Sequence, residues 1–324
     1  MSTTPTVVQQ LVTPVPNLAG TVKPQGTDLT AAQQRTYEGV LAHFSAADYE
    51  LPGVNDGDAK LAEEERFWLT YECMLRYLRA TKWASVEAAI KRLEETLLWR
   101  RDFGLYDKRF TAEHVEPEAL TGKEVIFGYD VAGRPALYLC PTRQNTEESI
   151  RQVEFNMFML ERCIDVMGPG VESLALMIDY GQKAAKNPSF SLSRMVLNIL
   201  QSHYPERLGR AVIINVPFWL NAFYKMINPF IDPVTREKMR FNPKVTQEGL
   251  FTAENVWKEF GGDVEFKYDH ETYWPHLIEL AKTRREAQMA RWREMGGTVG
   301  LKEWDMKEGD TQSPTKKDTA TESS

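Results

Sequence analysis

The stretch Ala211–Phe241, AVIINVPFWLNAFYKMINPFIDPVTREKMRF, decides the reading of this chain. Ala211 to Val216 is a short β-branched run of the buried-strand type. Pro217 ends it and suits the first turn of a helix. In the helical stretch that follows, Asn221, Lys225 and Asn228 sit at i, i+4 and i+7 and form one narrow polar stripe. Phe218, Trp219, Leu220, Phe223, Tyr224, Met226, Ile227 and Phe230 occupy the rest of the circumference. An ordinary surface helix shows the reverse proportions. This one needs apolar neighbours on two sides: a core, and a greasy ligand, a membrane or a partner. Asp232-Pro233 then opens a short second helix, Val234 to Arg240, with Arg236, Lys238 and Arg240.

A transmembrane reading of 211–231 fails. Fifteen of its twenty-one residues are apolar, but Pro217, Pro229, three Asn and Lys225 interrupt it, whereas a spanning helix needs about 20 mostly apolar residues in a row. The 324 residues, 42% apolar and 26% charged, suit a soluble globular protein with a sizeable core. A net charge of −7 argues against bulk nucleic-acid binding. Cys73, Cys140 and Cys163 are sparse, odd in number and in apolar contexts, which predicts buried thiols in a reducing compartment. No signal peptide is legible.

Outward from this stretch, 1–27 reads as a disordered lead-in with four Pro and one charge, and 28–110 as a helical lobe. Its expected helices are 29–49, a single helix over 63–80, and one capped by Ser85 and closed by Gly104. From Val125 the pattern becomes α/β. A hairpin spans 125–129 and 136–140, a long helix spans 147–167, and a central strand spans 173–179. A helix stopped by Pro205 leads to the strand at 211–216, and a fifth strand is expected near Lys244-Val245. Alternation of strands and helices implies parallel pairing with right-handed crossovers. A short helix at 251–260 and a final helix at 273–295 follow, and 301–324 reads as a disordered tail.

The motifs of common enzymes are absent: no G-x-G-x-x-G, no phosphate loop, no G-x-S-x-G elbow and no ligand spacing among the five His. Three constellations remain open to more than one reading. Leu75 to Trp83 ends the 63–80 helix with Arg76 and Arg79 off its apolar face, as a solvated edge or as a second phosphate contact. Glu206 and Arg207 flank the end of a helix, as a solvated pair or as a clamp for hydroxyls or phosphate. Asp232 to Lys238 is either a capped surface helix or an anion site, since Thr235 and Lys238 share a face near a helix N-terminus. An α/β hydrolase-like or inositide-modifying enzyme would have to use His203 with Ser202 or Glu206, and His203 falls on an apolar stripe. A protein scaffold is a third class.

The motifs L-R-Y-L-R-A-T-K-W (75–83), G-R-P (133–135), Y-P-E-R-L-G (204–209), I-I-N-V-P-F (213–218), N-P-F-I-D-P-V-T-R-E-K (228–238) and F-G-G (260–262) come in one order. Together they resemble the CRAL-TRIO lipid-binding family, in its fungal phosphatidylinositol-transfer branch, from about residue 66 to about residue 300. Arg143 to Thr146, Met159 to Arg162 and Tyr273-Trp274-Pro275 bring it nearest to the sub-type linked to pleiotropic drug resistance, azole tolerance and sterol binding. The resemblance implies an all-α N-terminal lobe packed on an α/β lobe over 111–300, with a mostly parallel sheet, a deep apolar lipid cavity and a gate helix. It implies no catalysis and no cofactor; the bound molecule is phosphatidylinositol or a sterol. Thr235, Lys238, Glu206, Arg207 and Lys82 map onto its headgroup residues. The gate and cavity would be lined by Phe218, Trp219, Phe223, Tyr224, Met226, Ile227, Phe230, Leu174 and Leu176. Two departures are visible. Thr81 stands where the prototype has Arg, and Leu174 and Leu176 stand where phosphatidylcholine-transferring members place Ser and Thr. A choline phosphate there would lack partners, so the second ligand is expected to be apolar, a sterol. The implied partners are a membrane surface, touched transiently from the cytoplasm (endoplasmic reticulum, lipid droplets or cell periphery), and a phosphoinositide kinase receiving the inositide.

Overall fold

The structure is a computed structural model and describes residues 28–54, 58–107, 110–181, 189–216, 231 and 233–307. The expected lead-in at 1–27 and the gate residues Phe218, Trp219, Phe223, Tyr224, Met226, Ile227 and Phe230 lie outside them.

Among the described residues, four helices build the N-terminal lobe: α1 (Ala31–Ser45), α2 (Glu63–Trp68), α3 (Tyr71–Ala80) and α4 (Val86–Phe103). Thr30 and Gln33 cap α1 reciprocally. Ser85 caps α4 through the Ala88 amide, and Gly104 ends it with φ +82°. The single helix expected over 63–80 is in fact two. Leu69 leaves the helical region and Thr70 caps α3 through the Cys73 amide at 3.0 Å. The backbone groups freed at this break find partners far along the chain: Gly300 N donates to Leu69 O (2.8 Å) and Tyr71 N donates to Leu301 O (3.0 Å). Tyr77, Met74, Leu78, Leu93 and Leu97 fill the lobe's core.

The second lobe runs α5 (Ala112–Ala119), β1 (Glu124–Tyr129), β2 (Pro135–Leu139), α6 (Ile150–Asp165), β3 (Leu174–Asp179), α7 (Phe190–His203), β4 (Leu208–Ile214), α8 (Pro233–Glu237), β5 (Met239–Phe241) and α9 (His270–Glu294). The five strands lie in sequence order. β1 and β2 are an antiparallel hairpin, and the remaining pairs are parallel. With strands in this order, right-handed crossovers carry α6 and α7 over the same face. The segment after β5 covers the opposite face.

Four expectations are corrected. The fifth strand is Met239–Phe241 and not 244–245, because pairing to Ala211–Ile213 starts directly after α8. The fourth strand starts three residues early, at Leu208, beside Leu174. Residues 251–260 form two 3-10 turns, Ala253–Asn255 and Lys258–Phe260, around an extended Trp257 bridged to Val264. The tail expected to be disordered from 301 instead begins with α10 (Glu303–Lys307), whose Met306 packs with Phe67, Met289 and Trp292.

Residue alternation assigns the faces of the sheet. Val125, Tyr138, Met177 and Val212 stand in one row on the first face and are wholly buried. There Tyr138, Trp257 and Phe266 form a stack with centroid spacings of 3.8 and 4.4 Å. Gly128 (φ +65°) lets β1 pass so close to Asn255 that a Cβ would lie 2.4 Å from its carbonyl oxygen. On the second face two rows cross all five strands: Ile126, Leu137, Leu176, Ala211, Met239, and Glu124, Leu139, Ile178, Ile213, Phe241.

Candidate functional site

The residues singled out in the sequence gather at the N-terminal end of β4. Pro205 stops α7, and Glu206 turns the chain with φ +61°, a left-handed conformation that costs a non-glycine residue about 1–2 kcal/mol. This turn aims its carboxylate across the lobe boundary, where Oε2 accepts from Arg79 Nε at 2.5 Å. Arg79 lies in the last turn of α3, and its carbonyl accepts from the amide of exposed Lys82, itself at φ +55°. From the other side, Lys238 Nζ donates to Leu208 O at 2.7 Å, while its amide donates to Thr235 O at 3.1 Å. The Lys238 carbonyl accepts from Ala211 N at 3.0 Å. Glu206 and Lys238 thus both engage the turn and strand start at 206–208, Glu206 with Arg79 of α3 against it and Lys238 one helical turn after Thr235.

Arg207 departs from this group. It is buried and donates through Nη1 to Glu172 O at 2.9 Å, so its side chain points between the lobes. There Arg76 bridges Glu172 and Glu303, each at 2.7 Å, and Arg79 adds a longer contact to Glu172 at 3.4 Å. Burial and the neighbouring Arg76 depress the pKa of Arg207. Burial raises Glu72 to about 7, assisted by the Glu303 charge. Burial also opposes ionisation of Glu303, but Arg76, Lys307 and Arg207 hold it well below the usual carboxylate range. A cavity of about 70 Å³ lies in this interface, lined among others by Arg76, Arg100, Glu161, Arg207 and Glu303. Arg100 donates to Glu161 at 3.0 Å and Tyr204 OH donates to it at 2.7 Å. These contacts, Arg100 foremost, bring Glu161 to about 2 against its burial. The volume would hold a few waters; it is far short of a lipid.

Sequence reasoning missed Glu172 and Glu303. Arg76 and Arg79 stood in a basic helix end, but their partners are about 90 to 230 residues away.

His203 is a packing residue. Its ring stacks on Trp99 at 4.4 Å with planes 5° apart, and Nδ1 lies 3.0 Å from Thr96 Oγ1. Burial lowers its pKa to about 4, with Arg92 and Arg100 adding to the effect. It is thereby committed to the lobe interface and not to a nucleophile.

Leu174 and Leu176 lie on the second face of the sheet, Leu174 buried and Leu176 half-buried. Leu174 donates its amide to Arg207 O at 2.9 Å, so this apolar face begins directly beside the Glu206 turn. Leu139, Ile178 and Met239 are half-buried on the same face, and Phe241 is 45% exposed. On α7, Leu192 and Val196 are half-buried and Phe190 and Met195 exposed. The arrangement offers an anion-capable corner opening onto a continuous apolar surface. Among the described residues, no helix is long and apolar enough to cross a membrane, and no His, Cys, Asp or Glu cluster could hold a metal ion. Cys73, Cys140 and Cys163 are buried free thiols.

Comparison with known proteins agrees with this layout. The family described as CRAL/TRIO domain matches residues 120–262, and CRAL/TRIO, N-terminal domain matches 36–95. A CRAL-TRIO domain-containing protein of Schizosaccharomyces pombe is 46% identical over 92% of this chain, which spans 29% of that protein's length. Phosphatidylinositol transfer protein PDR17 of Saccharomyces cerevisiae is 40% identical over 85% of this chain and 83% of its own. SEC14 cytosolic factor of Kluyveromyces lactis is 30% identical over 59% of this chain and 70% of its own. The crystal structure of Sfh5 superposes with a TM-score of 0.54 at 15% identity, covering 80% of this chain and 99% of that one, a likeness of fold alone.

Proposed function

Since this chain belongs to the CRAL-TRIO family, a non-catalytic lipid-transfer domain, we propose that it exchanges phosphatidylinositol for a second, apolar lipid between membranes. The observation that carries this reading is the Glu206–Arg79 and Lys238–Thr235 corner at the mouth of an all-apolar run of sheet. An inositol ring offers hydroxyls to a carboxylate such as Glu206, and its phosphate suits the Lys238 ammonium, just past the end of α8. Thr235 and exposed Lys82 complete the headgroup site. Arg207 supports it from behind, by fixing the turn through Glu172 O. Acyl chains would lie along Leu174, Leu176 and Ile178 in a deep cavity, at about 0.8 kcal/mol per buried CH₂, with the apolar stretch 218–230 as the gate. The transfer named for the yeast relative supports the same cargo.

The second lipid is a sterol by this reading. Leu174 and Leu176 give a choline phosphate no hydrogen bonds, and burying it unpaired is costly. The drug-resistance sub-type, azole tolerance and hand-over of inositide to a phosphoinositide kinase follow as parts of the same proposal. So does a cytoplasmic site of action, peripheral on membranes such as the endoplasmic reticulum, lipid droplets or cell periphery. Vesicle-to-vesicle phosphatidylinositol transfer by wild type, Glu206→Ala and Lys238→Ala tests the site: both variants should transfer poorly. Undiminished transfer by both would remove the site assignment, and no transfer by the wild type would remove the function.

A further inference from the structure

Glu124 is the odd residue on the second face of the sheet. It opens β1 directly opposite Leu139, and the row continues through Ile178 and Ile213 to Phe241. It is 7% exposed, and its Oε2 has no hydrogen-bond partner among the described residues. The adjacent cation does not serve it. Lys123 is committed to Glu118, with Thr146 beyond, and lies over the Phe155 ring. The outer edge of β1 is closed as well, since Tyr273 OH donates to Ile126 O at 3.0 Å and accepts from Ile126 N at 2.7 Å. Burial pushes the carboxyl up to about 8, against the pull of Lys123. At neutral pH it is therefore chiefly a neutral acid, able both to donate and to accept.

A buried polar atom without a partner costs about 1–3 kcal/mol, and native chains hold few of them. Leu or Gln at the same place would be the cheaper structural choice. The position has a geometric meaning. The row from Glu124 to Phe241 crosses four inter-strand gaps of about 4.8 Å, roughly 19 Å in all. Its intermediate residues are apolar, and Leu139 and Ile178 are half-buried. From Leu208 at the headgroup corner to Ile213 in this row is five residues, about 17 Å along the strand. The sheet thus carries two polar anchors, at opposite strand ends and separated by apolar surface.

We infer that Glu124 is the hydrogen-bonding anchor for the hydroxyl of a long apolar alcohol of the sterol type, laid across the sheet along Leu139, Ile178 and Ile213. This rests on the lipid-exchange reading above and specifies the chemistry of its second ligand. The anchor selects against esters, because an esterified oxygen has lost its proton and gained an acyl group where the carboxyl must fit. It also explains how an apolar cavity without Ser or Thr at 174 and 176 could still choose a ligand by its head.

The test is a fluorescence titration with dehydroergosterol and with its 3-acetate, using the full chain as wild type, Glu124→Gln and Glu124→Leu. Phosphatidylinositol transfer is measured on the same preparations. The wild type should prefer the free alcohol. Glu124→Leu should weaken alcohol binding by about tenfold, the loss of one good hydrogen bond, and erase the preference over the ester. Glu124→Gln, which keeps a donor and an acceptor, should stay within about threefold. Equal binding of alcohol and ester by the wild type overturns the inference, even if Glu124→Leu cannot be prepared folded. An unchanged preference in Glu124→Leu also overturns it. Wild type that transfers phosphatidylinositol but binds no sterol overturns this inference alone; wild type that binds the alcohol but transfers no inositide overturns the transfer reading alone.

Discussion

Two neighbouring rows of one sheet have opposite fates. On the first face, Val125, Tyr138, Met177 and Val212 are sealed under a stack of Trp257 and Phe266. On the second, Leu139 and Ile178 are half-buried and Phe241 is 45% exposed, although the strands are equally apolar. The difference teaches that composition marks a surface as greasy but does not say what covers it. The first face is closed by the chain's own aromatic residues and supplies stability. The second lies under α6 and α7, with α6 packed on β1 and β2, and its half-buried residues are, by the present reading, left for lipid.

The comparison can be broken by substitution. Trp257→Ala should cost about 3–5 kcal/mol in urea unfolding, and Ile178→Ala about 1 kcal/mol, since a half-buried side chain has less to lose. Equal losses at both positions would make the second face ordinary core. Next in size is the interface between the lobes. Removing one partner of the buried Arg100–Glu161 pair, as in Glu161→Gln, should cost about 3–5 kcal/mol at pH 7. Glu161 lies at about 2 in the fold, so its contribution is present above 4.5 and is lost as pH falls toward 2. Glu161→Gln should therefore flatten the acid limb of a plot of Tm against pH.

Glu72 runs the other way. Raised to about 7, it stabilises the fold fully below 4.5 and loses that contribution as pH rises through 7. Glu72→Gln should flatten Tm between pH 5 and 8; an unaltered slope would mean that Glu72 is not the group responsible. The smallest effect is expected from Leu176→Thr. It should cost little stability at its half-buried site but add phosphatidylcholine to the lipids transferred between vesicles. No gain of phosphatidylcholine would show that hydroxyls on the second face do not choose the headgroup.

Much of the sheet was legible because its residues report their own surroundings. The β-branched run at 211–214 and the twice-apolar strand at 174–179 call for inner strands, and they are flanked by strands on both sides in the order β1 to β5. Ser85 and Gly104 announce the ends of α4 by local chemistry alone. The failures occur where the deciding partner is remote. Near Leu69 only the capping Thr70 hints at a break, because the groups that satisfy the freed backbone belong to Gly300 and Leu301. The polar segment after 301 looks like a tail until Arg76 and Thr70 are seen to bind Glu303. At the headgroup corner, Glu206 and Lys238 were legible as motif residues. Arg79 stood in a motif too, but its pairing with Glu206 did not show, since that partner is 127 positions away. Glu124 was hidden in the same way: a carboxylate at a strand entrance reads as solvated until α9 closes the strand edge with Tyr273.

The seam at Leu69-Thr70 has a consequence in time. A ribosome delivers the helical lobe first, and domains begin to fold as they emerge. Yet α3 cannot bury Arg76 with its full complement of charge, nor satisfy Leu69 O and Tyr71 N within the fold, until residues 300 to 303 have been made. The first lobe to be synthesised is the last to be completed.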